Sequence, residues 1–292
     1  MLHSFYKSLN RDFTLLQGDC VELLNQFDFK FDMIFADPPY FLSNGGISVQ
    51  SGKQVSVNKG DWDKSHGFEK DNEFNRKWLS ACRSHLKDDG TIWISGTYHN
   101  IFSVALMLNE LDFRILNCVI WAKTNPPPNL SCRFFTHSTE FILWARKSKK
   151  VPHYFNYELM KKINGGTQMR DLWTLPAIAK WEKSCGKHPT QKPLPLLARI
   201  ILASTKENAW ILDPFTGSST TGIAASLLNR RFLGIDRETE FLELSKARRE
   251  EIENPQIRQN YREKILKYSD KPIRGIVEIR EDTPYFGVDL PF

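Results

Sequence analysis

At 292 residues, 41% of them hydrophobic and 25% charged, the chain has the length and balance of an ordinary soluble globular protein with one large domain. No stretch offers the ~20 apolar residues of a membrane-spanning helix, and Met1-Leu2-His3-Ser4 does not open a signal peptide, so a cytoplasmic protein with no membrane partner is expected. Five scattered cysteines (Cys20, Cys82, Cys118, Cys132, Cys185) form no paired spacing, which argues against a disulfide framework and against a metal site.

In chain order, β-branched and aromatic runs predict strands at 13–17, 32–36, 91–95, 115–121, 140–145, 210–215 and 231–235. Helix-period stretches predict helices at 21–27, 72–86, 100–111, 193–204, 220–229 and 238–253. This alternation implies an α/β fold with a mostly parallel sheet covered on both faces, which binds ligands at the carboxyl ends of its strands. Three segments interrupt it. Residues 42–68 are rich in Gly, Ser, Asn and Lys, and a loop this long is usually functional or disordered. Residues 123–192 carry Pro126-Pro127-Pro128, aromatics and a basic cluster. Residues 254–292 hold one more expected helix at 257–268 and a tail with Pro272, Pro284 and Pro291. The expected division is a first half-domain at 1–122, an inserted recognition region at 123–187 that includes strand 140–145, a second half-domain at 188–253 and a C-terminal extension at 254–292.

The net charge is +6, and residues 146–192 hold eleven Lys/Arg against three Asp/Glu, which leaves the rest of the chain at −2. One basic segment on a near-neutral body suits a DNA-contacting insertion, and equally a solvated face.

Two words end apolar runs. Asp37-Pro38-Pro39-Tyr40 follows Met33-Ile34-Phe35-Ala36. The exocyclic amine of a nucleobase is a poor nucleophile, because its lone pair is delocalised into the ring. Two rigid acceptors aimed at its N–H bonds free that lone pair; Asp37 and the carbonyl of Pro38 fit the task, and the two prolines stiffen the turn. Tyr40 offers a ring on which an extruded base could stack. The bland alternative is a strand ending in a proline turn. The second word, Asp213-Pro214-Phe215-Thr216-Gly217-Ser218-Ser219-Thr220-Thr221-Gly222, reads as strand, tight turn and helix. Glycine at the bend brings backbone N–H groups and a helix N-terminus close to a ligand. It matches neither a dinucleotide fingerprint nor a phosphate-binding loop. Asp236, at the end of the next strand, is placed to hold ribose hydroxyls or to cap the following helix. A ribose site without a pyrophosphate site suggests S-adenosylmethionine.

With His188-Pro189-Thr190-Gln191-Lys192-Pro193 added, these words resemble those of the DNA amino-methyltransferases, and acceptor word before cofactor word is the order of the β-class adenine-N6 enzymes. The resemblance covers residues 15–249. It implies a circularly permuted, Rossmann-like methyltransferase fold with a seven-stranded, mostly parallel sheet. It also implies catalysis by Asp37, Pro38, Pro39 and Tyr40, and cofactor contacts from Asp19, Cys20, Thr190, Gln191, Lys192, Asp213, Phe215, Gly217, Ser218, Thr220, Thr221 and Asp236. Asp19 would meet the cofactor's adenine, and 190–192 its methionine part. The family usually has Gly where this chain has Ser219. The stretches 35–47, 58–64 and 124–146 look like the second, GATC-directed methylases of DpnII-type restriction systems, some of which also accept single-stranded DNA. That resemblance implies DNA as substrate, a companion restriction endonuclease and second methylase, and allows a homodimer.

Phosphate contacts are expected from Lys147, Lys149, Lys150, Lys161, Lys162 and Arg170. Base readout is expected from side chains such as Asn129 and Arg133, with Asn125 and His137 as further candidates. The alternative for Arg133 is an ion pair with Glu140. Cytosine-N4 methylation and a catalytically inactive DNA-binding subunit are the competing readings.

Overall fold

The computed structural model describes residues 3–42, 47–50, 53–56, 63–129, 132–186 and 188–267. Strands β1 (Tyr6–Lys7), β2 (Phe13–Gln17), β3 (Phe31–Ala36), β6 (Leu86–Gly96), β7 (Arg114–Lys123), β8 (Thr139–Arg146), β9 (Leu172–Leu175), β10 (Trp210–Asp213) and β11 (Arg231–Asp236) build one sheet in the order β1-β2-β11-β10-β3-β6-β8-β7-β9. From β2 through β6 all neighbours are parallel; β8 runs antiparallel between β6 and β7. The seven expected strands are all present, and β1 and β9 extend the sheet at its edges. Strands β4 (Ile47–Gln50) and β5 (Lys53–Ser56) pair as a separate antiparallel hairpin.

The central strands are near-continuous apolar runs because both of their faces are covered. Phe13, Leu15, Met33, Phe35 and Ile211 point to one side, against α5 (Leu194–Ser204), α6 (Thr220–Leu227), α7 (Thr239–Glu251) and α8 (Pro255–Lys267). Leu16, Ile34, Ala36, Leu212 and Leu233 point to the other, against α1 (Cys20–Leu24), α2 (Phe68–Ser84) and α3 (Ile101–Glu110). The period of two along each strand thus feeds two cores. Trp93 and Trp144, cross-strand partners on β6 and β8, stack at 4.6 Å and 10°. Among the described residues no helix is long and apolar enough to cross a membrane.

Residues 123–187 supply β8 and β9 to the common sheet, and α4 (Tyr157–Ile163), which buries Leu159, Met160 and Ile163 beside Ala203 of α5. Asn156 caps α4 by accepting the Leu159 N–H. The expected final helix is present as α8, while residues 268–292 lie outside the described residues, as do 43–46, 51–52 and 57–62 of the long loop.

Candidate active site

The carboxyl ends of β3 and β10 lie side by side, with Met33 opposite Ile211 and Ile34 opposite Leu212. The chain leaves β3 into Asp37 and β10 into Pro214, so both words open onto one crevice at the strand ends. The crevice is lined by Gly18, Asp19 and Cys20, by Phe35, Asp37 and Pro39, by Phe74, by 188 and 190–192, by 213–218, 220 and 221, and by 236–238 and Phe241.

At the acceptor end, Asp37 is surrounded by donors. Tyr40 Oη donates to its Oδ1 at 2.6 Å, Ser95 Oγ donates to the same oxygen, and Lys192 Nζ lies 2.5 Å from Oδ2. Burial raises the carboxyl's pKa, but the Lys192 charge and these hydrogen bonds outweigh it and hold the net shift downward. Lys192 is itself buried, and Asp37 and Glu140, the latter 3.8 Å away, hold its pKa above the usual value despite desolvation. Glu140 is paired in turn with Lys123 at 2.5 Å. The turn after Asp37 is fixed from outside by Asp63, whose buried carboxylate accepts the N–H groups of Tyr40 at 2.8 Å, Phe41 at 2.9 Å and Leu42 at 3.3 Å.

At the cofactor end, the turn from β10 into α6 is held by three layers of contacts. Asp213 accepts from Thr221 Oγ1 at 2.6 Å and from the Phe215 N–H at 3.1 Å, and burial pushes its carboxyl up to about 7. Asp236 accepts the N–H of Gly217 at 2.8 Å and that of Glu238 at 3.0 Å, so it ties this turn to the loop after β11. From beneath, Arg248 Nη1 donates to the Ser218 carbonyl at 2.5 Å and lies 3.1 Å from both Ser218 Oγ and Thr220 Oγ1; Ser245 Oγ donates to the Gly217 carbonyl at 2.7 Å. Gly217 has φ +49°, and a Cβ there would meet His188 Nε2 at 3.0 Å. Ser219 also takes a left-handed φ, 53°, which is the conformation the family's glycine would adopt without strain.

The expected cofactor residues all line this crevice, but several are engaged differently from expectation. Asp19 caps α1, accepting the N–H groups of Val21 at 2.9 Å and Glu22 at 3.0 Å, and pairs with Arg237. Lys192 points at Asp37, and Gln191 Nε2 donates to the Glu182 carbonyl at 3.0 Å. Cys20 is buried, with its thiol pushed up to about 12. Tyr40, expected as an open stacking ring, is 7% exposed, with the Lys192 ammonium 5.3 Å from its ring centroid. Its hydroxyl orients Asp37 in this state.

The basic side chains do not converge on the crevice. Arg146 pairs with Thr91, which lies opposite Met33 in the first half of β3, whereas Phe141 pairs with Gly96 at the end of β6. Lys147, Lys149 and Lys150 therefore follow the strand end opposite the site. There Lys147 lies 2.9 Å from Asp88 and Lys149 lies 2.5 Å from Asp112. These three expected phosphate contacts thus lie away from Asp37, at the other end of the sheet. Lys161 and Lys162 occupy the last turn of α4, and Arg170 precedes β9. Asn129 and Arg133 sit in the β7–β8 connection at the site's end of the sheet, where Asn129 Nδ2 donates to the Phe134 carbonyl at 2.5 Å. Leu130 and Ser131, between them, lie outside the described residues. Glu140 pairs with Lys123 and Lys192.

Sequence reasoning missed Ser95, Asp63, Ser245 and Arg248. Ser95 ends a predicted strand, and Asp63 lies in a stretch noted only for likeness. Arg248 belongs to a charged run that reads as solvent-facing. Among the described residues no cluster of His, Cys, Asp and Glu could hold a metal ion.

A family profile for DNA methylases, of the N6/N4 type, matches residues 31–247. The type II methyltransferase M2.MboI of Moraxella bovis is 55% identical over 264 residues, 90% of this chain and 96% of that protein. M2.DpnII of Streptococcus pneumoniae is 62% identical over 238 residues, 81% of this chain and 89% of that protein. The crystal structure of the M1.HpyAVI–S-adenosylmethionine complex superposes with a TM-score of 0.59 at 29% identity, covering 81% of this chain and 98% of that one. The PvuII cytosine-N4-specific DNA methyltransferase shares the fold, with a TM-score of 0.65 at 17% identity over 89% of this chain and 94% of that one. The crevice fits the cofactor of such enzymes: half-buried Asp236 faces a glycine-bearing turn that leaves room where a Cβ would collide with His188. The chain belongs to the N6/N4 family of DNA methylases and is an S-adenosylmethionine-dependent DNA methyltransferase.

Proposed function

We propose that this methyltransferase modifies N6 of an adenine extruded from GATC, and that it serves a type II restriction-modification system beside a cognate endonuclease and a second methylase. The observation that carries the reading is the half-buried Asp37 carboxylate, held ionised on a Pro-Pro turn at the head of the cofactor crevice. S-adenosylmethionine supplies an electrophilic methyl group. Asp37 accepts one N–H of the target amine and the Pro38 carbonyl the other, which turns the nitrogen lone pair toward the cofactor end of the crevice. Pro39 fixes the turn, and Tyr40 and Ser95 hold the carboxylate in place. No enzyme nucleophile is needed for a direct displacement, and the buried Cys20 and Cys82 are suited to packing.

Asp236, with Asp19, would hold the nucleoside half of the cofactor; Thr190, Gln191 and residues 215–221 would hold its methionine half. Asn129 and Arg133, beside the acceptor end, would read base edges, and Lys161, Lys162 and Arg170 would meet phosphates. A homodimer fits this class of enzyme and is part of the proposal. Likeness of the stretches 35–47, 58–64 and 124–146 to the GATC-directed subgroup supports the site, as does the 62% identity to M2.DpnII.

The test uses plasmid DNA free of adenine methylation, treated with protein and cofactor. Two nucleases then probe GATC, one blocked by N6-methyladenine and one requiring it. Protection from the first together with cutting by the second is expected. Methyl label incorporated without either change discards GATC, and N4-methylcytosine in the nucleoside digest discards adenine.

A further inference from the structure

The end of β6 carries the chain from the acceptor carboxylate to a row of open aromatic rings. Ser95 donates to Asp37, and three residues later Tyr98 is 46% exposed. The His137 ring, just before β8, stacks on Tyr98 with centroids 4.9 Å apart and planes at 26°. Phe134 continues the row, its centroid 5.4 Å from that of His137, and it is 58% exposed. Asn129 holds the Phe134 carbonyl and so fixes this rim of the β7–β8 connection.

Large rings left open to water in a row are unusual unless something covers them. These rings form a ledge outside the crevice, so they do not suit a small enclosed ligand. They suit flat π-surfaces, and a target base at Asp37 brings DNA to this end of the sheet. Three residues of chain reach at most ~10 Å, and successive bases of a strand are ~3.4 Å apart along the helix axis. The ledge therefore lies within one to three nucleotides of a base held at Asp37. Extruding that base strips a stacking partner from its neighbour, which is left with one open face.

We infer that Tyr98, His137 and Phe134 form a stacking platform for the base that flanks the target in the same strand. The inference rests on the proposed placement of the target base at Asp37. The platform compensates part of the stacking lost on extrusion. It needs no particular base, since every base presents a π-face.

The experiment is a double-mutant cycle between protein and DNA. Oligonucleotides containing the target carry a single abasic position at each of the three sites on either side of it. Binding is measured for wild type, Tyr98→Ala, Phe134→Ala and His137→Ala, with Tyr98→Leu and Phe134→Leu retaining apolar bulk without the ring. Cofactor affinity and Tm verify the fold of each variant. In wild type, one flanking abasic position should weaken binding by about 5- to 150-fold, the range for loss of one base–aromatic stack. The ring-deleted variants should show that loss on intact DNA and little further loss at the abasic position. An abasic penalty of equal size in wild type and variants overturns the platform, as does wild-type affinity in all the variants. If wild type transfers no methyl group to any of these DNAs, the underlying placement of the target has failed instead.

Discussion

Lys192 Nζ lies 2.5 Å from Asp37 Oδ2, so the cation of the third word closes on the carboxylate of the first across 155 residues of chain. Lys192 is buried, and the Asp37 side chain is 15% exposed. Asp37's shift is downward, so its contribution to stability is present above the unfolded pKa and lost as pH falls through the folded one. That of Lys192 is upward from 10.5, so its contribution is present below that value and lost as pH rises through the folded pKa. The pair is therefore ionised throughout the neutral range. To accept an amine N–H, Asp37 needs only to be ionised; Lys192 keeps it so.

Removing the cation exposes that dependence. In Lys192→Met, Asp37 faces burial, Glu140 and Asp213 with only the hydroxyls of Tyr40 and Ser95 as donors. Burial and like charge then push its carboxyl upward. The acid limb of the kcat/KM profile should move to higher pH, and stability should fall by roughly 3–5 kcal/mol, the cost of breaking a buried ion pair. An unshifted acid limb in the folded variant would refute the role given to Lys192.

Asp37→Ala should separate chemistry from cofactor binding. Glu140, 3.8 Å from Lys192, remains to balance the cation, which favours a folded variant. Methyl transfer should fall by at least about 10²–10³-fold, the effect of removing one preorganised electrostatic partner. Cofactor affinity, measured by titration calorimetry, should stay within a few-fold. Near-normal turnover would remove Asp37 from the mechanism.

The supports of the cofactor turn show what a sequence conceals. The strands and helices were legible because parallel central strands are unbroken apolar runs and their covering helices are amphipathic. The two words were legible because a Pro-Pro turn and a glycine-bearing turn demand those residues locally. Arg248 was not legible: in Lys246-Ala247-Arg248-Arg249 it looks like a solvated charge, and only the packing of α7 under the turn buries it. Helix α4 was hidden by its basic residues, although Asn156 and the apolar Leu159, Met160 and Ile163 marked it. The placement of Lys147 and Lys149 was not legible either, since charge along a sequence does not reveal at which end of an antiparallel strand it emerges.

Arg248→Met should loosen the Ser218–Thr220 turn without touching Asp37. Loss of a charged donor to this turn is worth ~1.5–3 kcal/mol, so cofactor Kd should rise by about 10- to 150-fold. Arg248→Lys should recover part of this, since an ammonium keeps the charge but not the planar fork of the guanidinium. Saturating cofactor should restore most of kcat. Unchanged cofactor affinity in a folded Arg248→Met protein would refute the assignment.

Asp213 couples the same turn to pH. Its carboxyl is raised from 3.8 to about 7, chiefly by burial and further by Asp37 and Asp236, with the bonds from Thr221 and Phe215 opposing. A raised pKa contributes stability that is full below 3.8 and lost as pH rises through about 7. Asp213→Asn removes the titration and keeps the shape, since the Thr221 hydroxyl can rotate to accept. The Tm advantage of wild type over Asp213→Asn should shrink between pH 5 and pH 8. A pH-independent difference would place the titration elsewhere.

Gly222 tests packing apart from chemistry. It lies in the first turn of α6, where a Cβ would stand 2.5 Å from ring atoms of both Phe13 and Phe232. Those rings, on β2 and β11, pack with centroids 5.0 Å apart and fill the space under the helix. Neither is exposed, so neither has room to yield. Gly222→Ala should therefore cost about 1–3 kcal/mol by overpacking, read as a lower denaturant midpoint with an unchanged slope. Gly222 does not line the crevice, so kcat on DNA should stay near wild type below the new Tm. A variant of wild-type stability would mean that α6 can lift from the sheet, and the close helix–strand approach assigned to this glycine would be wrong.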